Sequence, residues 1–211
     1  MKLTVTTFVS LDGVMQGPGG PEEDRAGGFD LGGWLVPFAD EDMGAIVGEW
    51  FAQADALLIG SRTYEIFAAY WPSVTDPEEG KINHLPKYVA SSSLTDLTWN
   101  NSHLLTGDLA TEVGELKARE GRELQVHGSG QLIRSLLDLE LVDELRLLTF
   151  PVVVGTGQRL LEPGTRQAAW KLTDVRSTST GAIAQTYGYA GKPGLGTFAV
   201  DADGKETSVL V

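Results

Sequence analysis

Val126-His127-Gly128-Ser129-Gly130-Gln131-Leu132 is an apolar strand that breaks at glycine and restarts with helical spacing. About 65 residues earlier, Leu58-Ile59-Gly60-Ser61-Arg62-Thr63-Tyr64-Glu65 has the same form. The first turn of a helix carries backbone N–H groups without an intrahelical acceptor, and such a start holds an anion. Between the two segments a third apolar run closes at Ala90-Ser91-Ser92-Ser93. Two helix N-termini, one arginine and a hydroxyl cluster suit a phosphorylated nucleotide.

Outward from these segments the chain alternates strand and helix. Leu3 to Val9 is β-branched and alternating, a strand that runs through Ser10-Leu11-Asp12-Gly13 into a glycine-rich loop ending at Gly33. A loop this long is commonly a lid, and Val14, Met15, Phe29 and Trp34 would let it exclude water; the other reading is a solvated insertion. Asp40 to Gln53 has helical spacing with Asp40, Glu41 and Asp42 at its positive end. Strands follow at Ala56 to Ile59, Lys87 to Ala90, His103 to Leu105 and Leu124 to His127, with helices at Thr63 to Tyr70, Leu109 to Arg119 and Leu132 to Leu137. Val142 to Val154 is a long strand pattern interrupted by Pro151, and Trp170 to Ser179 with Ala182 to Tyr189 reads as a terminal hairpin. Helices between strands and a hairpin at the end imply a mixed, mostly parallel sheet with an antiparallel edge. Past Ala190 comes the linker Gly191-Lys192-Pro193-Gly194-Leu195-Gly196, then Thr197 to Val211, a small hairpin about Asp203-Gly204 or a flexible tail.

The bulk properties fit one enzyme-sized domain of 211 residues, 42% hydrophobic and 21% charged. A net charge of −13 repels phosphodiester backbones and anionic lipid, which excludes nucleic acid and membrane surfaces as main partners. The absence of cysteine rules out disulfides, thiolate nucleophiles and thiolate metal sites. His84, His103 and His127 lack metal-ligand spacing, so no metal is expected. Met1 to Val9 is too short and threonine-rich for a signal peptide and no apolar run approaches roughly 20 residues, which gives a cytoplasmic expectation.

The order of strand, Gly60-Ser61-Arg62-Thr63-Tyr64-Glu65, strand with Ser91-Ser92, then Gly128-Ser129-Gly130 before a helix resembles the dihydrofolate reductase superfamily. The nearer likeness is to the C-terminal reductase domain of riboflavin-biosynthesis deaminase-reductases. It is carried by Ser10-Leu11-Asp12-Gly13-Val14, Leu141-Val142-Asp143-Glu144-Leu145 and Phe150-Pro151-Val152-Val153-Val154-Gly155-Thr156-Gly157. The resemblance implies an α/β, dihydrofolate-reductase-like domain over residues 1–190, with 191–211 as a tail or added hairpin. It also implies NADPH as cofactor, a 5-amino-6-(5-phosphoribosylamino)uracil reductase-like activity and a homodimer, which the apolar run Leu145 to Val154 would serve unless that strand is buried within one subunit.

Carried over by position, the cofactor-binding set is Ser61, Arg62, Thr63, Ser91, Ser92, Gly128, Ser129, Gly130, Gln131 and Leu132. Arg62 and Thr63 would meet the 2′-phosphate and pyrophosphate, Ser91 and Ser92 the 2′-phosphate, and Gly128 to Leu132 the pyrophosphate and nicotinamide ribose. Ser61 stands where this pattern usually has arginine. No acidic residue closes the strand at Ala90 to repel a 2′-phosphate, which favours NADPH over NADH.

True dihydrofolate reductases place one acidic residue on the helix after the first loop. The counterpart here falls at Gly44 or a neighbour. Asp12 is the remaining catalytic candidate, against the reading of a turn aspartate before Gly13. No His-x-Glu with Pro-Cys-x-x-Cys occurs, so a pathway role calls for a separate deaminase. The function expected is hydride transfer from NADPH to a small heterocyclic (pteridine- or pyrimidine-like) or carbonyl substrate. The alternatives are an F420-dependent reductase on the same site and a non-catalytic nucleotide-binding protein.

Overall fold

The computed structural model describes residues 1–76 and 79–210. Ten strands and four α-helices follow in order: β1 (Lys2–Ser10), α1 (Glu41–Phe51), β2 (Ala54–Gly60), α2 (Ser61–Tyr70), β3 (Lys87–Ala90), β4 (Ser102–Leu105), α3 (Leu109–Ala118), β5 (Glu123–His127), α4 (Gly130–Asp138), β6 (Glu144–Phe150), β7 (Trp170–Ser177), β8 (Ile183–Tyr189), β9 (Gly196–Val200) and β10 (Glu206–Leu210). The first eight strands form one sheet in the order β4-β3-β2-β5-β1-β6-β8-β7. From β4 to β6 the neighbours are parallel, while β8 is antiparallel to both β6 and β7. This is the mixed, mostly parallel sheet with an antiparallel edge that the alternation implied.

Each face is covered by two helices. α3 and α4 pack on Leu3, Val5, Ala56, Leu58, Leu124, Val126 and Leu145. Helix α4 buries Leu132, Ile133, Leu136 and Leu137, a stripe at helical spacing whose burial contributes about 1.5–3 kcal/mol per side chain. On the opposite face α1 carries Ile46 and Trp50 onto Leu148 and Phe150, and α2 carries Tyr64 toward Leu57, Ile59 and Val89. Asp40 starts α1 as a cap, its carboxylate accepting from Met43 N at 2.7 Å.

The strand pattern at Val142 to Val154 is shorter in the structure. It stops at Phe150, where Pro151 has no N–H for the ladder and Val152 N bonds back to Phe150 O. β6 lies between β1 and β8, so its apolar residues are used inside one subunit and give no ground for a dimer. The tail forms the separate two-stranded sheet β10-β9, whose side chains are exposed except for half-buried Thr207; Val211 lies outside the described residues. Among the described residues no helix is long and apolar enough to cross a membrane, and no cluster of three or more His, Asp or Glu is placed to hold a metal.

Candidate functional site

Parallel strands all end on the same edge, and a ligand site in an open α/β sheet forms there. Gly60 ends β2 and Ala90 ends β3 in register with it, while β5 on the other side of β2 ends at His127. The quoted glycine breaks therefore lie side by side, and so do the helices they open.

Those helices are tied to each other. Gly128 and Ser129 are both left-handed, with φ of 55° and 59°. For a serine this conformation costs about 1 kcal/mol or more and persists only where the surroundings enforce it. Here Ser129 N donates to Thr63 Oγ1 at 2.9 Å, and Ser129 Oγ accepts from Gly60 N at 3.0 Å. Thr63 is buried at 8% exposure and Ser129 half-buried, so this link is partly shielded from water. Among the described residues neither α2 nor α4 has a side-chain cap at its start. The leading N–H groups of Ser61, Arg62 and Thr63, and of Gly130, Gln131 and Leu132, precede any helical acceptor. They form a double cradle suited to phosphate oxygens. Thr63 and Ser129 hold the cradle's geometry with their own polar atoms.

Arg62 leans away from the helix axis to the first long loop, donating to Asp24 Oδ1 at 3.1 Å. Its side chain stays 54% exposed. Ser91 Oγ closes a turn by accepting from Ser93 N and Leu94 N at 3.2 and 3.0 Å, and Ser92 is exposed beside it. These residues leave the end of the strand next to β2, on the Arg62 side.

The loop from Asp12 to Gly33 is packed. Val14, Met15, Gln16 and Phe29 are buried within it, as is Trp34 at its exit. Gln16 donates to Asp24 O and Ala26 O, accepts from Gln158 N, and its own carbonyl receives Trp34 Nε1 at 2.8 Å. Met15 lies over the start of α4, where a Cβ on Gly130 would come within 2.8 Å of its sulfur. Asp12 is the root of this loop. Its carboxylate accepts from Ser10 Oγ at 2.7 Å, Val154 N at 3.0 Å and Gly155 N at 2.9 Å, with Arg159 alongside at 3.4 Å. The Ser10 hydroxyl, with the two backbone donors, outweighs the effect of burial and holds Asp12 well below the usual carboxylate range. Near neutral pH it carries no proton.

A polar seam missed by the sequence reading runs under α1. Glu123, Gln125 and His127 share one face of β5, and Arg146 of β6 pairs with Glu123 through two bonds of 2.9 and 2.7 Å. Gln125 donates to Trp50 O and to Glu123 Oε2, both at 2.7 Å, and its remaining oxygen meets His127 Nε2 at 2.9 Å. Burial first, and then the Arg146 charge, push the His127 pKa down to about 4 against the weaker pull of Glu123. Between pH 6.5 and about 4 the unfolded chain therefore binds a proton that the folded chain refuses, so this residue lowers stability as pH falls. Urea titrations of the wild type and of His127→Asn across that range should differ in slope by up to one proton, about 1.4 kcal/mol per pH unit. Parallel slopes would mean that His127 is charged in the folded state.

The profile of the RibD C-terminal domain family matches residues 1–184. The chain belongs to that family. YyaP of Bacillus subtilis (strain 168), an uncharacterized protein, is 28% identical over 195 residues, covering 90% of this chain and 96% of YyaP. Among solved structures, a putative riboflavin biosynthesis protein from Shewanella sp. PV-4 superposes with a TM-score of 0.70 at 22% identity, over 90% of this chain and 99% of that one. The Thermotoga maritima diaminohydroxyphosphoribosylaminopyrimidine deaminase/5-amino-6-(5-phosphoribosylamino)uracil reductase gives 0.60 at 13% identity, over 90% of this chain and 56% of that one. Enterococcus faecalis dihydrofolate reductase complexed with NADP(H) and RAB-propyl gives 0.58 at 12%, over 89% and 96%. The fold of this RibD C-terminal domain protein is thus dihydrofolate-reductase-like.

Proposed function

We propose that this RibD C-terminal domain protein is an NADPH-dependent reductase of a small heterocyclic or carbonyl substrate. One observation carries the reading: two uncapped helix starts, α2 and α4, locked together by Thr63 and Ser129 on adjacent strand ends. Solved structures of the same fold support it, one of them bearing a uracil reductase activity in its name and another complexed with NADP(H).

The cradle fits a dinucleotide. The N–H groups from Gly130 to Leu132 would hold the pyrophosphate, with Gly128 admitting its close approach. Those from Ser61 to Thr63 would receive the adjoining phosphate region. Arg62 would meet the 2′-phosphate together with Ser91 and Ser92. Bound there, the nicotinamide supplies the hydride. Met15, Phe29 and the rest of the Asp12–Gly33 loop would exclude water from the transfer. Asp12, ionised and fully engaged, serves in this scheme as the anchor of that loop and of Val154-Gly155 rather than as a proton donor.

Thermal shift with NADPH, NADH and F420 tests the reading, since only a bound ligand stabilises the fold. NADPH is expected to give the largest shift, and a shift with F420 alone would overturn the cofactor. Arg62→Ala should weaken NADPH by about 1.5–3 kcal/mol and leave NADH nearly unchanged. Calorimetric titrations showing equal losses for both would place Arg62 elsewhere. A homodimer and a cytoplasmic location complete the proposal, the first to be checked by light scattering at micromolar concentration.

A further inference from the structure

The strand end at Ala90 carries no acidic residue, but the fold brings one to Arg62 from another part of the chain. Asp24 of the first long loop places Oδ1 3.1 Å from the Arg62 guanidinium, and among the described residues it is the one carboxylate bonded to that arginine. Its side chain is 14% exposed, against 54% for Arg62. Exposed ion pairs often contribute little because both side chains are free to part. This pair is anchored at the Asp24 end.

The Asp24 turn is fixed from within the loop. Its Oδ1 also accepts from Ala26 N at 3.0 Å, the habit of an aspartate that bonds the backbone two residues on. Gln16 holds the same stretch, its Nε2 donating to Asp24 O at 3.3 Å and to Ala26 O at 3.0 Å. Gln16 is 4% exposed, and Gln158 N and Trp34 Nε1 hold it in turn. Buried neighbours thus set the carboxylate in place, whereas Arg62 reaches it on an exposed stem. Arg25 pairs with Glu22 at 3.0 Å, and Ser61 adds no charge beside Arg62. One guanidinium is therefore left for the carboxylate and an incoming phosphate to share.

Resting on the reductase reading, in which Arg62 meets the 2′-phosphate, we infer that Asp24 determines the cofactor preference. A 2′-phosphate has to draw Arg62 away from the carboxylate and then lie beside that negative charge. A ribose 2′-hydroxyl meets no such rival, since a carboxylate accepts its hydrogen. Like charges set side by side weaken one ligand and spare the other, which is how a site discriminates. Asp24 holds the preference for NADPH to a narrow margin, and removing its charge widens that margin.

Calorimetric titration of NADPH and NADH into the wild type, Asp24→Asn, Arg62→Ala and the double variant tests this. Asparagine keeps an oxygen for Ala26 N and Arg62, so the loop stays in place. In Asp24→Asn, NADPH should bind about tenfold tighter and NADH no tighter, which moves the ratio of their dissociation constants about tenfold. In the Arg62→Ala background the same substitution should move that ratio by less than about threefold, because the contest for the guanidinium is gone. An unchanged ratio in Asp24→Asn, or equal shifts in both backgrounds, overturns the inference and leaves the reductase reading standing. Binding of neither dinucleotide by the wild type and the variants overturns the reductase reading and the inference with it.

Discussion

Replacing Arg146 by methionine should destabilise the protein by about 3–5 kcal/mol, a large part of the total stability of a domain this size. The guanidinium is 8% exposed and the Glu123 carboxylate 5%, and they are joined by two bonds. Arg146 also reaches Glu144 at 2.8 Å. Burial pushes Glu123 toward protonation, but the bonds from Arg146 and Gln125 prevail and hold its pKa below the ordinary value. Methionine fills much of the space and removes the charge, leaving two carboxylates with Lys2, which is 39% exposed, as their remaining cation. The sign with pH then reverses. In the wild type the Glu123 contribution is present above the unfolded-state pKa and lost as acid protonates the pair. In the variant, unpaired Glu123 prefers its proton, so the deficit should narrow toward pH 4. Urea midpoints of Arg146→Met and of the double variant Arg146→Met/Glu123→Gln settle the matter: the second should recover more than half of the loss. A single-variant loss under about 1 kcal/mol would show that the pair contributes no more than an exposed one.

Gly128→Val should cost at least a hundredfold in NADPH affinity, about 2.7 kcal/mol, on the proposed reading. A β-branched residue at a φ of 55° is strained, and its Cβ would come within 3.3 Å of Thr63 Oγ1. That atom is the acceptor for Ser129 N, so valine pushes on the link that holds the two helix starts together. The rest of β5 and α4 stays anchored by Leu124, Val126, Ile133 and Leu136, each fully buried. A folded circular-dichroism spectrum with NADPH binding lost is therefore the expected outcome. Binding within tenfold of the wild type would remove Gly128 from the cofactor site.

What the sequence made legible was local. The strand and helix over Ala54–Tyr70 and Glu123–Asp138 follow from apolar spacing interrupted at Gly60 and Gly128, because the backbone there has few other choices. The hairpin of β7 and β8 follows from Thr180-Gly181 in the same way. What stayed hidden depends on distant partners. Asp12 meets Val154 and Gly155 more than 140 positions away, and the Arg62 contact with Asp24 spans 38. No periodicity announces such pairs. The seam had a signal that went unused: Glu123, Gln125 and His127 alternate with Leu124 and Val126, so a strand read as apolar is half polar and had to meet polar company on one side.

That seam also bears on how the molecule yields under stress. On the α1 and α2 side it parts the apolar residues into two pools, one around Trp34, Trp50, Leu148 and Phe150, the other around Leu57, Ile59, Tyr64 and Trp99. Only the opposite side, under α3 and α4, is a continuous apolar layer across the sheet. Injuries to one pool should therefore add to injuries in the other without compounding. Either half of this side can loosen on its own while the layer beneath keeps the strands together. The loop rooted at Asp12 belongs to the first pool through Phe29, and the α2 helix belongs to the second. Opening the one thus leaves the apolar packing of the other in place, at the cost of the half-exposed Arg62–Asp24 bond that joins them.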